Sequence, residues 1–238
     1  MTKLKSPYIE TYAVSQGFGQ NYNTYYKEAG LLGHPAIDVH ANHGSDIIAV
    51  ADSLCVGVLN KDNKDLMRYR AVLTLWEDSG VWYEVSYGHL GEIFAKKGQK
   101  LKVGDLIGTQ SNTGNVSSKG RKITLKEKMT GSTLGSHLHF QMKLVRPTTK
   151  GKYVVVNPKN GFNGCVDPAP FFNHKDIYPI LRYGLRSEAV KALQKILGIP
   201  MDGIFGLGTE LAVFKFQKKH GLLPDKVVGQ LTWAKLLA

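Results

Sequence analysis

The hydrophobic pattern of this chain of 238 residues changes its period once, and this change limits the folds that the chain can adopt. Up to about Leu144, short apolar runs alternate with turn clusters, and no stretch keeps the helical spacing of about 3.6 residues. After Leu181 the apolar residues follow that helical spacing. Because the strand and helix segments are separated along the chain, we predict the α+β class: an antiparallel β-sheet domain followed by a small three-helix bundle.

Three segments carry the strongest strand signal, because β-branched and aromatic residues are concentrated in them: residues 50–59, 69–76 and 82–87. A turn cluster at residues 77–80, ending in Ser79-Gly80, separates the last two segments. This arrangement predicts a β-hairpin.

The helical part of the sequence contains an internal repeat. Ser187 is placed to cap a helix that begins at Glu188, and Gly198 is placed to end it. A second helix is expected to start after Thr209 and to stop at Gly221. Residues 202–209 and 225–232 share the same spacing of Asp, an apolar pair, Gly and Thr. We predict that each copy turns at its Asp and caps a new helix with its Thr.

Three regions are predicted along the chain: residues 1–145, 146–179 and 180–238. The middle region is rich in Pro, Asn and Gly, which predicts an irregular connecting segment. Its aromatic residues Phe162, Phe171 and Phe172 indicate that this segment packs against the first domain.

Composition narrows the possible partners and compartments. The formal net charge of +12 favours polyanions, but it is diffuse and nucleic-acid-binding motifs are absent, so no nucleic-acid partner is expected. No apolar run approaches the roughly 20 residues of a membrane span, so membrane insertion is not expected. The N-terminus has no apolar signal-peptide core, which predicts synthesis in the cytoplasm without a secretory signal. Cys55 and Cys165 lack metal-type spacing; two buried free thiols are predicted, with a long-range disulfide as the alternative.

A pair of histidines gives the first indication of chemistry. His137 and His139 are separated by one residue, so on a strand they would project side by side while Leu138 and Phe140 face the core. Two adjacent imidazoles suit a metal, or a metal ligand next to a proton acceptor. Taken alone, the pattern is more often an incidental feature of an exposed strand.

His34 and Asp38 strengthen the case for a metal. Imidazole and carboxylate are both good zinc ligands, and one member of the His137/His139 pair would complete a set of three protein ligands. A fourth position then remains open for water, as a catalytic site requires. The remaining imidazole could act as general base or stabilise charge on the attacked carbonyl, and His89 would be a second such group. The residues suit metal-assisted hydrolysis of an amide.

Three motifs in order resemble the lysostaphin-type zinc endopeptidases of peptidoglycan: His34-x-x-x-Asp38, Tyr87-x-His89 and residues 137–140, His-Leu-His-Phe. The resemblance covers about residues 12 to 145. It implies that His34, Asp38 and His139 bind Zn²⁺, that His137 is the general base, and that His89 helps it to position water and stabilise the tetrahedral intermediate. It also implies an antiparallel sheet with a long, narrow groove.

The sequence departs from the family pattern in several places. Ala36 stands where glycine is usual, Ser111 replaces another glycine, and Ser136 replaces the usual proline. Residues 115–133 form a longer, basic insertion, for which two interpretations remain: a solvated loop, or a groove wall that selects an anionic wall peptide. The four other histidines are expected to line the groove or to lie at the surface: His40 and His43 in the first case, His174 and His220 in the second.

The C-terminal region resembles the helical peptidoglycan-binding module of wall hydrolases, on residues 189–194, 202–206 and 214–217. Together the two resemblances imply a monomeric zinc endopeptidase that cleaves amide bonds in peptidoglycan cross-bridges or stem peptides. Such an enzyme would reach the wall after release from the cell, as a phage lysin does. Two alternatives are a catalytically inactive wall-binding regulator of the same fold and a basic polyanion binder.

Overall fold

The computed structural model describes residues 3–8, 13–20, 24–61, 64–118, 121–149, 152–172 and 180–236. The chain divides into two compact units. The sheet unit comprises Met1–Tyr12 and Gln16–Asp176, and the helical unit comprises Ala13–Ser15 and Ile177–Ala238. Within the described ranges, no helix has the length and apolar character needed to cross a membrane.

Most of the regular structure before residue 180 is β-strand. In chain order the strands are β1 (Ala13–Gln16), β2 (Ile37–His40), β3 (Asp46–Ile48), β4 (Ser53–Leu59), β5 (Ala71–Asp78), β6 (Val81–Gly88), β7 (Leu90–Ile93), β8 (Lys100–Leu101), β9 (Leu106–Gln110), β10 (Ser117–Ser118), β11 (Arg121–Lys122), β12 (Leu138–Pro147), β13 (Tyr153–Val155) and β14 (Cys165–Val166). The helices are α1 (Thr24–Glu28), α2 (Leu125–Met129), α3 (Glu188–Leu197), α4 (Leu207–Lys219) and α5 (Gln230–Leu236), with a 3₁₀ turn at Ala169–Phe171.

The strands form one large sheet and two small ones. The large sheet has the order β1-β2-β12-β6-β5-β4-β8, and β13 and β14 also pair with β12. The second sheet has the order β3-β9-β7, and β10 pairs with β11 alone. The pairings of β12 with β2 and with β6 are antiparallel, as are those of β5 with β4 and with β6. The predicted class, an antiparallel sheet followed by a few helices, is therefore confirmed.

Strand β12 is the element that places the functional residues. It runs between β2 and β6. Leu138, Phe140 and Met142 are fully buried on one face, as the alternation of a strand requires. The intervening residue His139 consequently points to the opposite face of the sheet, where it pairs directly with Asp38 of β2 and with Gly88 of β6.

The hairpin predicted around residues 77–80 is present as β5 and β6. Its two-residue turn consists of Ser79, with φ of 54°, and Gly80, with φ of 85°. Two consecutive residues with positive φ match the right-handed twist of the flanking strands. The register from Asp78↔Val81 to Ala71↔Gly88 delivers the end of β6 to the sheet position beside His139.

The segment after β12 is more regular than predicted. The interpretation of residues 146–179 as irregular is wrong at β13 and β14, which pair with β12. Two of its aromatic residues contact residues of the large sheet: the Phe171 ring lies 5.0 Å from that of Tyr83, and the Phe172 ring lies 5.4 Å from that of Phe140. Residues 173–179, with His174, lie outside the described part of the chain. Cys55 and Cys165 are buried free thiols, as predicted.

Two short helices of the sheet unit, α1 and α2, were not predicted. Each has five residues, too few to produce a periodic pattern. Helix α2 lies in the insertion, which therefore contains regular structure where a solvated loop was one expectation; residues 119–120 of the insertion lie outside the described ranges. Its capping box is visible in the sequence, because Thr124 and Glu127 each bind the backbone of the other.

The helical unit begins as predicted. The Ser187 side chain accepts a hydrogen bond from the Val190 amide at the start of α3, and Gly198, with φ of 67°, ends the helix. The capping role predicted for Thr209 is wrong. Helix α4 begins three positions earlier, at Leu207 with Gly206 as its N-cap, and Thr209 is a buried residue of its first turn. The equivalent residue Thr232 likewise lies inside α5.

These threonines belong instead to a duplicated hydrogen-bond network around a buried glutamine. The Gln194 amide nitrogen donates to Asp202 Oδ1 at 2.7 Å, to Ile204 O at 3.0 Å and to Thr209 Oγ1 at 3.0 Å. Its oxygen accepts from the Gly203 amide at 2.9 Å. We name this network the glutamine clamp. It ties the end of one helix to the start of the next.

The second clamp repeats the first at the same spacing. The Gln217 amide nitrogen donates to Asp225 Oδ1 at 2.8 Å, to Val227 O at 2.9 Å and to Thr232 Oγ1 at 3.1 Å, and its oxygen accepts from the Lys226 amide at 2.9 Å. The helical unit also has an apolar core, whose buried members are Leu181, Val190, Leu193, Phe205, Val213, Val228 and Trp233.

Substitution of either clamp glutamine should destabilise the helical unit. Gln194→Ala and Gln217→Ala each leave buried polar groups without partners, which costs about 1–3 kcal/mol. Urea unfolding of the full chain followed by far-UV circular dichroism measures this loss. Lys195→Ala, at the exposed position next to Gln194, is the matched control and should stay within about 0.5 kcal/mol of the unmodified chain. Equal stability of the glutamine and lysine variants would contradict the structural role of the clamps.

Candidate metal centre

The three predicted metal ligands, His34, Asp38 and His139, lie close together at the surface of the large sheet. Asp38 lies on β2 and His139 on β12, directly opposite each other, and His34 precedes β2. His139 Nδ1 is 3.0 Å from Asp38 Oδ1, and His34 Nε2 is 3.2 Å from the same oxygen. The distance from His34 Nε2 to His139 Nδ1 is also 3.2 Å. The three donor atoms therefore form a nearly equilateral triangle.

The backbone before β2 fixes the position and tautomer of His34. The residue is 1% exposed, its amide binds Gln20 O at 3.0 Å, and its carbonyl accepts from the Gly19 amide at 2.8 Å. Gly33 allows this approach, because a Cβ there would lie 2.4 Å from Gly19 O. The ring Nδ1 is 3.4 Å from Gly17 O, so Nδ1 carries the proton and Nε2 presents a lone pair to the triangle.

The triangle suits zinc. With Zn–N and Zn–O bonds of about 2.0–2.1 Å, the corners of a tetrahedron lie roughly 3.3 Å apart. The donor distances of 3.0–3.2 Å in His34, Asp38 and His139 are close to this value. Two imidazoles and one carboxylate give the N/O donor set that zinc prefers, and three protein ligands leave a fourth position open. These residues are one of two donor groups identified in the described part of the chain.

The second donor group consists of His89, His137 and His139, so the two groups share His139. The rings of His89 and His137 lie 4.5 Å apart between centroids. His137 Nε2 is 3.5 Å from Asp38 Oδ1, which places this imidazole next to the triangle. All five residues predicted for the site are thus brought together, while the division into ligands and catalytic residues stays a prediction.

Backbone carbonyl groups set the tautomers of His89 and His137. His89 Nδ1 is 2.6 Å from Thr113 O, and His137 Nδ1 is 2.8 Å from Gly135 O. Because a carbonyl oxygen only accepts hydrogen bonds, both Nδ1 atoms must carry protons. In the neutral forms, Nε2 of each ring is therefore an acceptor.

His89 has an unusual backbone conformation, with φ of 62°. Few residues other than glycine adopt this region, and such strain is found where surrounding structure holds a functional residue in place. The Tyr69 ring packs edge-on against His89 with a centroid distance of 4.9 Å. It occupies the space beside Gly88, where a Cβ would lie 1.9 Å from the Tyr69 hydroxyl oxygen. Gly88 and Tyr69 together support the turn that carries His89.

Electrostatics distinguish the members of the site. Burial would raise the pKa of Asp38, but the charges of His137 and His34 and hydrogen bonds from His139 and His34 hold this pKa well below its ordinary value. Burial lowers the pKa of His89 well below its usual range, and the charges of His137 and His139 add to this effect. Burial also lowers the pKa of His139. Near neutrality the carboxylate of Asp38 is therefore ionised and the imidazoles of His89 and His139 are neutral, which is the protonation state that metal binding requires of these groups.

His40 and His43 lie beside the site and belong to neither donor group in the described part of the chain. Burial and the charge of His137 lower the pKa of His40, which is hydrogen-bonded to the Ser136 backbone. His43 Nδ1 is 3.0 Å from Ser136 Oγ, which also accepts from Gln110 Nε2 at 3.1 Å. Both histidines thus contact the residue that precedes His137. His220, predicted at the surface, is exposed at the end of α4.

The sequence interpretation missed three contributors. Tyr69 was treated only as a strand residue, and the backbone carbonyls of Thr113 and Gly135 carry no sequence signal. Tyr69 is partly buried, and this burial raises its pKa to about 12, so it remains a neutral phenol. Two glycines, Gly88 next to His89 and Gly114 next to Thr113, could have pointed to this region. Both lie against Tyr69, where a larger residue would not fit.

An antiparallel sheet that carries three N/O donors, with two further imidazoles beside them, defines the class of proteins with a catalytic-type metal centre. Residues 32–158, a little over half of the chain, match the model of peptidase family M23. The chain therefore belongs to peptidase family M23. Residues 186–236 match a second model, described as "Putative peptidoglycan binding domain".

Individual relatives match parts of the chain. An uncharacterized metalloprotease of Buchnera aphidicola subsp. Baizongia pistaciae is 28% identical over 158 residues, which cover 66% of this chain and 33% of that protein. An uncharacterized protein of Kitasatospora aureofaciens is 48% identical over 65 residues, which cover 24% of this chain and 55% of that protein. The chain thus spans about one third of the length of the first of these curated relatives and about half of the length of the second. Among solved structures, the antimicrobial peptidase lysostaphin from Staphylococcus simulans is 20% identical with a TM-score of 0.44, and the match covers 72% of this chain and 54% of that one.

Metal content should separate the ligands from the neighbouring imidazoles. We expect about one zinc ion per chain, lost in His34→Ala because three donors become two, and retained in His137→Ala. Elemental analysis after dialysis measures this difference. His220→Ala, at the exposed end of α4, is the control and should keep its zinc. Equal zinc loss in His34→Ala and His137→Ala would contradict the assigned ligand set.

Acid should destabilise the metal-free protein through His89 and His139. Both pKa values are lowered in the folded state, whereas unfolded imidazoles bind protons near about pH 6.5. Below that pH the unfolded state binds more protons, so the free energy of unfolding falls as the pH drops toward the folded-state pKa values. Urea midpoints of chelator-treated protein on either side of about pH 6.5 measure the effect. His89→Gln should reduce the pH dependence; an unchanged dependence in this variant would contradict the prediction.

Proposed function

We propose that this chain is a zinc-dependent endopeptidase that hydrolyses amide bonds in the cross-bridges or stem peptides of peptidoglycan. The observation that carries the proposal is the convergence of five side chains from separate segments: three donors at 3.0–3.2 Å from one another and two imidazoles beside them. Membership of peptidase family M23 supports the choice of a peptidase. The match of residues 186–236 supports peptidoglycan as the substrate.

His34, Asp38 and His139 would hold the metal in this proposal. When bound there, zinc supplies Lewis-acid activation of water and of the scissile carbonyl. The carboxylate of Asp38 offsets part of the cationic charge and remains ionised over a wide pH range, since its pKa is held low. The cross-strand pairing of Asp38 with His139 keeps the two ligands in fixed register.

His137 is proposed as the general base. Its Nδ1 proton is committed to Gly135 O, so the Nε2 lone pair is free to take a proton from the attacking water. The imidazolium formed in this step is stabilised by Asp38 Oδ1, 3.5 Å from Nε2. The same Nε2 proton can then pass to the amide nitrogen of the leaving group, which completes the cleavage.

His89 has a narrower role than the resemblance implied. Its Nδ1–H binds Thr113 O and burial holds its pKa low, so the neutral ring offers only an acceptor at Nε2. An acceptor cannot stabilise the negative oxygen of a tetrahedral intermediate, but it can orient a water molecule. His89 and His137 would then each accept one of the two hydrogens of the attacking water.

The helical unit is proposed to bind the wall. By keeping the chain on its substrate, a second binding unit raises the local concentration of the catalytic residues without taking part in the reaction. The proposed partner is peptidoglycan, without nucleic acid or membrane insertion. The protein is proposed to act on the wall as a monomer after release from the cell in which it is made.

Purified cell-wall sacculi provide the test. We expect the zinc-loaded chain to release soluble fragments with new amino termini, and mass spectrometry of these fragments identifies the bond that is cleaved. His137→Ala should lower the rate by roughly 10²- to 10⁴-fold, because it removes the general base, and should still sediment with sacculi.

Two outcomes would contradict the proposal. If the zinc-loaded chain sediments with sacculi but releases no fragments, it is the inactive wall-binding regulator. If it neither binds nor cleaves sacculi, the polyanion-binding alternative gains support. Removal of zinc with a chelator and its restoration serve as the control for metal dependence.

A further inference from the structure

The insertion at residues 115–133 begins and ends beside the two carbonyl groups that orient the catalytic histidines. Thr113, two positions before the insertion, supplies the oxygen that binds His89 Nδ1 at 2.6 Å. Gly135, two positions after it, supplies the oxygen that binds His137 Nδ1 at 2.8 Å. The start of the insertion is therefore coupled to the His89 ring and its end to the His137 ring.

Lys128 of α2 turns inward from the insertion. It is 5% exposed, which is rare for lysine unless its ammonium group has partners. Its Nζ donates to Gly114 O and to Leu66 O, the latter at 3.4 Å. The Gly114 amide donates to Leu66 O at 2.9 Å, so the Leu66 carbonyl binds both the lysine and Gly114. We refer to residues 112–114 as the loop. The ammonium thus binds the residue next to Thr113.

Other contacts make this loop rigid once it is anchored. Asn112 Nδ2 donates to Ser132 O at 2.7 Å and to Leu134 O at 3.1 Å, which ties the loop to the far end of the insertion. Thr113 is 1% exposed, and its hydroxyl donates to Leu90 O at 2.9 Å. The loop is therefore held on both sides of Thr113.

The anchored loop also contacts Tyr69. Gly114 has φ of 76°, and a Cβ there would lie 3.0 Å from Tyr69 Cα, so the two backbones are in close contact. The Tyr69 ring in turn packs against His89. Lys128 thus reaches His89 by two routes, through the Thr113 carbonyl and through Tyr69, although it touches neither the donor triangle nor the histidines.

We infer that Lys128 is a positioning residue: it fixes the loop whose Thr113 carbonyl orients His89. The inference rests on the proposed function, since the role of His89 in hydrolysis belongs to that proposal. It gives the insertion a task different from substrate selection. The exposed basic residue Arg121 also argues against substrate selection. Its guanidinium already binds Glu127 of the insertion at 2.7 and 3.0 Å.

The test compares three variants of the full, zinc-loaded chain. Lys128→Met keeps the length of the side chain and removes the donors. Lys128→Arg keeps a cationic donor and is the conservative rescue. Lys126→Met removes an exposed lysine from the same helix and is the matched control. In ¹⁵N-histidine-labelled protein, the Nδ1–H signals of His89 and His137 report their hydrogen bonds to Thr113 and Gly135 directly.

In Lys128→Met we expect the hydrogen-bonded His89 signal to be lost while the His137 signal remains as an internal reference. The value of kcat should fall roughly 10- to 100-fold, as for a small misplacement of a catalytic group, with KM within about twofold and zinc retained. Lys126→Met should match the unmodified chain. Lys128→Arg should restore the His89 signal and most of kcat.

A wild-type His89 signal and kcat in Lys128→Met would overturn the inference, even if thermal stability fell, because the lysine would then act only on stability. If Lys128→Met does not fold, Lys128→Gln, which is shorter and keeps a neutral donor, decides by the same two measurements. An unmodified chain that cleaves no peptidoglycan would refute the proposed function alone, since the His89 signal still reports on the loop. Activity of the unmodified chain matched by Lys128→Met would refute only the role of Lys128.

Discussion

The site depends on the carboxylate of Asp38. One of its oxygens lies within 3.5 Å of nitrogen atoms of His34, His137 and His139. A carboxylate in a largely buried position is stable only when charged or hydrogen-bonded partners surround it, and imidazoles crowded together without an anion would repel one another once protonated. Strand pairing determines this balance, because the register of β2 against β12 places Asp38 opposite His139. A shift of that register by one residue would turn both side chains to the other face of the sheet.

Much of this arrangement follows from short-range patterns that the sequence displays openly. Alternation along residues 138–142 separates core residues from His139, and the Ser-Gly turn fixes the hairpin that ends at Gly88. The change from strand to helical spacing predicts the order of the sheet and the helices. Residue chemistry alone grouped His34, Asp38, His89 and the last histidine pair at one metal site. It left open which histidine of that pair completes the ligand set, and only the family resemblance chose His139.

The remaining features depend on contacts between distant segments and on backbone atoms. Nothing in the residues Thr113 and Gly135 indicates that their carbonyls would set two histidine tautomers, because every residue carries a carbonyl group. Tyr69 contributes through the space that Gly88 leaves open, which only the paired strands define. Helix α2 is a different case. Its capping box, Thr124 and Glu127, is a local signal that sequence reasoning could have used. Thr209 is the opposite case, because its local sequence signal was misleading. Threonine is a good capping residue, but Thr209 instead accepts a hydrogen bond from Gln194 in the glutamine clamp.

The glutamine clamps constrain how the helical unit can vary. Surface connections between helices ordinarily tolerate insertions and deletions. Here one glutamine side chain in each clamp donates hydrogen bonds to an Asp, a backbone carbonyl and a Thr at fixed sequence distances. A single residue added to or removed from the connection would therefore break several hydrogen bonds together. The number of residues in each connection is therefore fixed, whereas the exposed side chains of the helices can be replaced. A change in what this unit binds would therefore have to come from its exposed side chains, because the connections between its helices cannot change in length.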